Sequence, residues 1–263
     1  MSLIEAFILG LIQGITEFLP ISSDGHLELA KVLLKLQNPD NLTFVVVVHG
    51  ATVLSIIVVF FNEILSLLKG FFRFQWNDEM QYLAKIAVSM IPVFIVGIFF
   101  KDFVEGFFTG NMLLTAFGFL ATGGFLMFAH FAKPRDKEIS YLHSFIIGIA
   151  QAFAVLPGLS RSGSTISTGM MLGNKKEELA KFSFLMALVP ILGANLLDMM
   201  DGSFMQSAKT LGTLPLVVGF ITAFITGFFA CRWLISIVKK GKLLWFGIYC
   251  FAAAMLALGL SFR

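Results

Sequence analysis

Gln13-Gly-Ile-Thr-Glu17-Phe-Leu-Pro20-Ile-Ser22-Ser23-Asp24-Gly25-His26 begins as apolar helix, stops at a proline and resumes as a polar helix start. Pro157-Gly158-Leu159-Ser160-Arg161-Ser162-Gly163-Ser164-Thr165 repeats the pattern further along. The surrounding stretches, residues 3–30 and 142–172, are apolar at first and break at these prolines. Each reads as two half-length helices joined at a turn. At membrane depth, non-helical backbone is tolerated only where protein or a water-filled cavity covers it. Both stretches are therefore expected to be re-entrant hairpins.

The rest of the chain calls for that membrane. Its 263 residues are 57% hydrophobic and 13% charged, about half the charge of a typical soluble domain. Phe dominates the aromatics, 31 against three Trp and three Tyr. Spanning a bilayer takes about 20 mostly apolar residues, and six stretches qualify: roughly 43–62, 83–100, 111–132, 182–200, 211–238 and 244–262. The fold class expected is an all-α polytopic membrane protein, six transmembrane helices plus two re-entrant helical hairpins. Cys231 and Cys250 lie in apolar runs and read as buried thiols, not a disulfide or metal pair. The start, Met1-Ser2-Leu3-Ile4-Glu5, has no basic region or cleavage site and does not read as a removable signal. A net charge of +3 is too small and dispersed for nucleic acid.

Basic residues orient the chain. The loops near 63–82, 133–141, 173–181 and 239–242 hold eleven Lys and Arg, whereas the opposite face holds five (Lys31, Lys35, Lys101, Lys209 and Arg263). The basic face is expected to be cytoplasmic, with both termini outside and the hairpins entering from opposite faces. Gly10 and Gln13 match Gly148 and Gln151, and Ser22 and Gly25 match Ser160 and Gly163, at a common offset of 138. Two related halves of opposite orientation imply an inverted repeat. One integral domain is expected over 1–263, with a first repeat of about 1–132 and a second of about 140–263. In such folds broken helices meet near the midplane and form the binding site.

The motif residues point to phosphate chemistry. Gln13 and Glu17, four apart, share a helix face. Ser22, Ser23 and Asp24 follow the break, where free backbone N–H groups favour an anion. Arg161 with Ser160, Ser162 and Thr165 completes a phosphate cradle. A carboxylate beside phosphate makes sense when a divalent cation bridges them, so Glu17 and Gln13 are the candidate metal ligands, for Mg²⁺ or Ca²⁺. A charge at membrane depth costs at least about 2.5–3.5 kcal/mol, which favours function for Glu17, Arg161 and His26. His49 and Asp198 sit in no sequence cluster and read as structural. Pro92 and Pro190 read as helix kinks.

Together the motifs resemble those of the undecaprenyl-diphosphate phosphatase family of the bacitracin-resistance type. The resemblance runs over essentially the whole chain. It implies removal of the terminal phosphate from a C55 isoprenoid diphosphate left after cell-wall polymer assembly, and reuse of the monophosphate as carrier lipid. It also implies a divalent cation, an essential histidine at His26, phosphate-binding roles for Ser160, Arg161 and Thr165, and a proposed serine nucleophile in the Ser22-Ser23 pair. Asp24 departs from the family pattern, which has Thr or Ser there; metal binding, acid–base chemistry and helix capping are each open to it. Ser-x-Gly-His and Ser-Arg also resemble phosphatidic-acid phosphatases, but no Lys-x6-Arg-Pro element is present and Ser162 to Met171 holds no His.

The resulting expectation is metal-assisted phosphoryl transfer at a bacterial plasma-membrane site opening outward, with a polyprenyl diphosphate lipid as substrate. Glu17, Ser23, His26 and Arg161 are the catalytic candidates, and Ser22, Asp24, Ser160, Ser162 and Thr165 the substrate-binding ones. Ser23 as nucleophile with His26 as base is preferred, while attack by water or by His26 fits the sequence too. Membrane lipid surrounds the protein, and homodimerisation is compatible with the sequence. The rival class is transport or flipping of a polyprenyl phosphate, since opposed re-entrant hairpins also serve secondary transporters.

Overall fold

The computed structural model describes residues 1–36, 41–100, 103–104, 106–107, 111–133, 135–200 and 211–262. Among them all regular structure is helical, apart from one isolated bridge between Lys137 and Asn174. The helices are α1 (Leu3–Phe18), α2 (Ser23–Leu33), α3 (Asn41–Val59), α4 (Phe61–Phe71), α5 (Asp78–Phe99), α6 (Met112–Phe131), α7 (Tyr141–Phe153), α8 (Arg161–Met171), α9 (Lys176–Met200), α10 (Thr213–Lys239) and α11 (Leu244–Ser261). Lys101, Lys209, Arg263 and the side chain of Asp198 lie outside the described residues.

Five helices, α5, α6, α9, α10 and α11, are long and apolar enough to cross a membrane. The sixth expected span, 43–62, is shorter than its apolar run: α3 ends at Val59, and α4 leaves it at 75°. The turn falls at Phe60, whose φ of −104° and ψ of 24° depart from helix. The chain is a multi-pass membrane protein.

The two interrupted stretches form two pairs of short helices. α1 and α2 have 16 and 11 residues, α7 and α8 have 13 and 11, each below the length of a span. Proline sets the first break, whereas α7 already ends at Phe153, ahead of Pro157. The residue before proline is pushed out of the helical region, and Leu19 is indeed extended, with φ −63° and ψ 145°. In the second break Gly158 takes φ +81°, where a Cβ would lie 2.3 Å from the Thr115 carbonyl oxygen.

Small residues let the short helices seat deeply. A Cβ on Gly10 would lie 2.6 Å from the Gly219 carbonyl oxygen on α10, and one on Gly148 would lie 2.3 Å from the Ser89 carbonyl oxygen on α5. Close backbone approach maximises dispersion contacts where lipid offers no hydrophobic driving force. The halves trade partners: α1 and α3 pack on α10, while α7 and α9 pack on α5. α3 pairs with α9, and α6 with α11. A buried cluster that includes Phe18, Phe60, Phe182 and Phe184 fills the space beneath the first break.

Candidate active site

Helix caps shape both breaks. Ser22 caps α2, its hydroxyl accepting from the Gly25 N–H at 3.3 Å, and Ser160 caps α8, accepting from the Gly163 N–H at 3.0 Å. Ser22 does so at φ 70°, a left-handed conformation costing about 1–3 kcal/mol in a non-glycine residue. The breaks touch, since the Ser162 hydroxyl donates to the Leu19 carbonyl at 3.3 Å. Flanking helices brace them: the Ser160 N–H donates to Thr122 on α6 at 2.9 Å, and the Cys250 thiol on α11 reaches the Pro20 carbonyl at 3.8 Å. Cys231 and Cys250 are both free and buried.

Glu17 lies at the centre of this junction, 8% exposed. One carboxylate oxygen pairs with the Arg161 guanidinium. The other accepts from Ser23 Oγ at 2.6 Å and from Gln13 Nε2 at 3.1 Å. Three donors thus stabilise a carboxylate withdrawn from water, one of them from the other half of the chain. Asp24, beside them, keeps its side chain 46% exposed.

His49 joins this group, although it is isolated in sequence. Its Nδ1 lies 2.9 Å from the Val45 carbonyl, which can only accept, so Nδ1 carries hydrogen. Nε2 then faces Glu17 at 3.6 Å and Asp24 at 3.7 Å. The structural reading of His49 rested on the absence of a cluster, and α3 supplies one.

His26 points elsewhere. Its Nδ1 donates to the Ser22 carbonyl at 2.7 Å, and its Nε2 accepts from the Tyr249 hydroxyl at 2.7 Å. The rings of His26 and Tyr249 stack at 5.5 Å, and Phe119 meets His26 edge-on. In this structure Ser23 bonds to Glu17, while His26 bonds back to the carbonyl of the strained Ser22 turn. The reason is helical geometry, since residue 26 sits one turn beyond Ser22 and bonds back to its carbonyl.

A cavity of about 770 Å³ opens on this group, its polar lining supplied by Glu17, Ser22, Ser23, Asp24, His49, Gln151, Ser160, Arg161 and Asn195. The rest of its wall is chiefly apolar, with Val45, Val93, Phe94, Ile98, Val189 and Leu197 among its residues. Two expected substrate contacts fall outside the lining. Ser162 holds Leu19, and the Thr165 hydroxyl is shared with the Arg161 carbonyl at 2.9 Å and Ser183 at 2.7 Å. Hydroxyls within a buried helix find neighbouring backbone first. Pro190, expected only to kink α9, lies inside that helix and also lines the cavity.

Comparison with known proteins identifies the family. The sequence model of the family described as bacitracin resistance protein BacA matches residues 6–256. The chain belongs to this family. Among its relatives, a protein of Bacteroides thetaiotaomicron named undecaprenyl-diphosphatase is 52% identical over 259 residues, 97% of each chain. Proteins of the same name from Parabacteroides distasonis and Methanococcus vannielii are 51% and 42% identical; the first alignment covers 98% of both chains, the second 95% of this chain and 97% of the relative. Both breaks and every polar cavity residue named above fall within the residues matched by the family.

Proposed function

We propose that the chain hydrolyses undecaprenyl diphosphate to undecaprenyl phosphate and inorganic phosphate, with the two broken-helix pairs as jaws of one site. The observation that carries the mechanism is the chain of contacts from Ser23 Oγ to Glu17 to Arg161 in the polar lining of a chiefly apolar cavity. The lining suits the substrate: diphosphate against the charged groups, isoprenoid along the apolar wall. The shared name of the family's relatives supports the same reaction.

In this reading the terminal phosphate replaces Glu17 as the partner of Arg161. Ser23 Oγ attacks phosphorus and its proton passes to Glu17, whose oxygen it already faces. The bond from phosphorus to the bridging oxygen breaks, releasing undecaprenyl phosphate. Glu17 then gives its proton to solvent. Water attacks the phosphoserine, a proton returns through Glu17 to Ser23 Oγ, and hydrogen phosphate leaves. Arg161, with N–H groups at the starts of α2 and α8, balances the charge of the transferring group.

A divalent cation fits the oxygen donors present. Among the described residues no three His, Cys, Asp or Glu side chains form a cage for one. Gln13 Oε1, however, is buried without a donor beside Glu17, and Asp24 offers a half-exposed carboxylate. Mg²⁺ is commonly held by one or two carboxylates plus phosphate oxygens, so Glu17, Gln13 and Asp24 would hold it together with substrate. When bound it supplies neutralising charge to the diphosphate.

The inverted repeat is supported by the exchange of helix partners between halves, and its re-entrant hairpins by helices too short to span. The charge asymmetry then puts both termini outside. The cavity takes its lining from the starts of α3 and the ends of α5 and α9, the ends away from the basic loops, which favours an outward opening.

Phosphate release by the purified chain from farnesyl diphosphate in detergent, with no gradient, tests this reading. Metal-dependent release, abolished by EDTA and cut about 10³-fold or more in Ser23→Ala, is the expected result. A silent wild type that flips polyprenyl phosphate in vesicles would make it a transporter. An active Ser23→Ala would transfer the attack to water.

A further inference from the structure

We infer that Gln151 is a substrate-binding residue that donates its amide N–H to the terminal phosphate of the diphosphate. This rests on the hydrolase reading above and adds to it a residue that neither motif contains.

Gln151 is 2% exposed, and neither its Oε1 nor its Nε2 has a hydrogen-bond partner. Leaving a buried polar group unpaired is costly, and such groups are rare for that reason. Gln151 nevertheless lines the cavity that holds Glu17, Ser160 and Arg161. Gln151 thus borders the cavity while both of its amide atoms lie unpaired and shielded from water.

The repeat explains why this amide is free. At the offset of 138, Gln151 corresponds to Gln13, and four residues on, Glu17 corresponds to Val155. Gln13 spends its Nε2 on Glu17 at 3.1 Å. Gln151 has valine at that position and nothing to donate to within its own helix. The second half has thus kept the amide and lost the carboxylate that would occupy it. A carboxylate there would repel phosphate, whereas a free amide is a neutral donor that complements Arg161.

The terminal phosphate is the part of the substrate that suits such a donor. Its charges need donors, and the isoprenoid must leave along the apolar wall towards lipid. An N–H donated to a charged oxygen is among the stronger hydrogen bonds, so its loss should be visible in kinetics.

Gln151→Met keeps the volume and removes the amide. With farnesyl diphosphate as probe, kcat/KM should fall about tenfold or more, and the inhibition constant for inorganic phosphate should rise in parallel. The melting temperature without ligand should stay level or increase, because an unpaired buried amide has been removed. Gln151→Glu keeps the shape, adds a negative charge, and should lose more activity than Gln151→Met. A kcat/KM within twofold of wild type in Gln151→Met would overturn the inference and leave the hydrolase reading intact. So would a loss of activity that tracks a fall in melting temperature with unchanged phosphate inhibition, since that is a packing role. A wild type that releases no phosphate would overturn both.

Discussion

The α1–α2 and α7–α8 pairs share a plan and divide a task. Both break near proline, both restart on a serine cap, and both seat a glycine against a helix of the other half. At the offset of 138, however, Glu17 corresponds to Val155, Ser23 to Arg161, Asp24 to Ser162 and His26 to Ser164. The first pair holds the carboxylates, the histidine and the candidate nucleophile. The second holds the guanidinium. Two similar helix pairs carry unlike groups because phosphoryl transfer needs proton acceptors and cations at once, and like groups on both jaws would repel each other.

The largest expected effect breaks that division outright. Arg161→Ala should lower kcat/KM by about 10³-fold or more, the scale on which arginines act in phosphoryl transfer. The exchange Ser23→Arg with Arg161→Ser should be equally inactive in the same phosphate-release assay. Activity in the exchanged protein would show that the jaws are interchangeable.

A smaller effect is expected where α3 completes the first jaw. His49→Gln removes a group that faces Glu17 and Asp24 together. At 3.6 and 3.7 Å these are long ion-pair contacts, worth about 0.2–1 kcal/mol, so kcat/KM should fall by about a few-fold, with Glu17→Gln in the same background costing less than it does alone. Full additivity in that double-mutant cycle would separate His49 from the site.

The breaks themselves differ in backbone. Gly158→Ala puts a Cβ against the Thr115 carbonyl at positive φ and should destabilise the protein by more than about 1 kcal/mol, read as a lower melting temperature in detergent. Smallest of all, Gly259→Ala on α11 meets nothing within 4 Å. It should leave activity unchanged and raise stability by no more than about 1 kcal/mol.

Much of the site was legible because charge inside an apolar segment stands out. Glu17, Arg161 and the serine caps announce themselves by breaking hydropathy. His49 and Gln151 do not, because each is one polar residue in an apolar helix, and the sequence holds no sign of what faces it. Gln151 carries only a weak signal, its match to Gln13 at the common offset. The orientation of His26 was illegible for another reason. Its neighbour Ser23 is close in sequence, yet α2 turns the histidine back onto the Ser22 carbonyl and outward to Tyr249, over two hundred residues away.

Composition and periodicity by themselves determined that this chain lives in a bilayer, where its helices run, where two of them break, and which family its motifs resemble. These follow from local physics: apolar length, proline sterics and serine capping act within a few residues. Tertiary structure alone decided that Glu17 pairs with Arg161, that Ser23 bonds to Glu17 rather than to His26, that Ser162 meets Leu19 and Thr165 meets Ser183, and that His49 and Gln151 reach the cavity. Such contacts depend on which helix faces lie opposite one another after packing, and no spacing within a single helix encodes that.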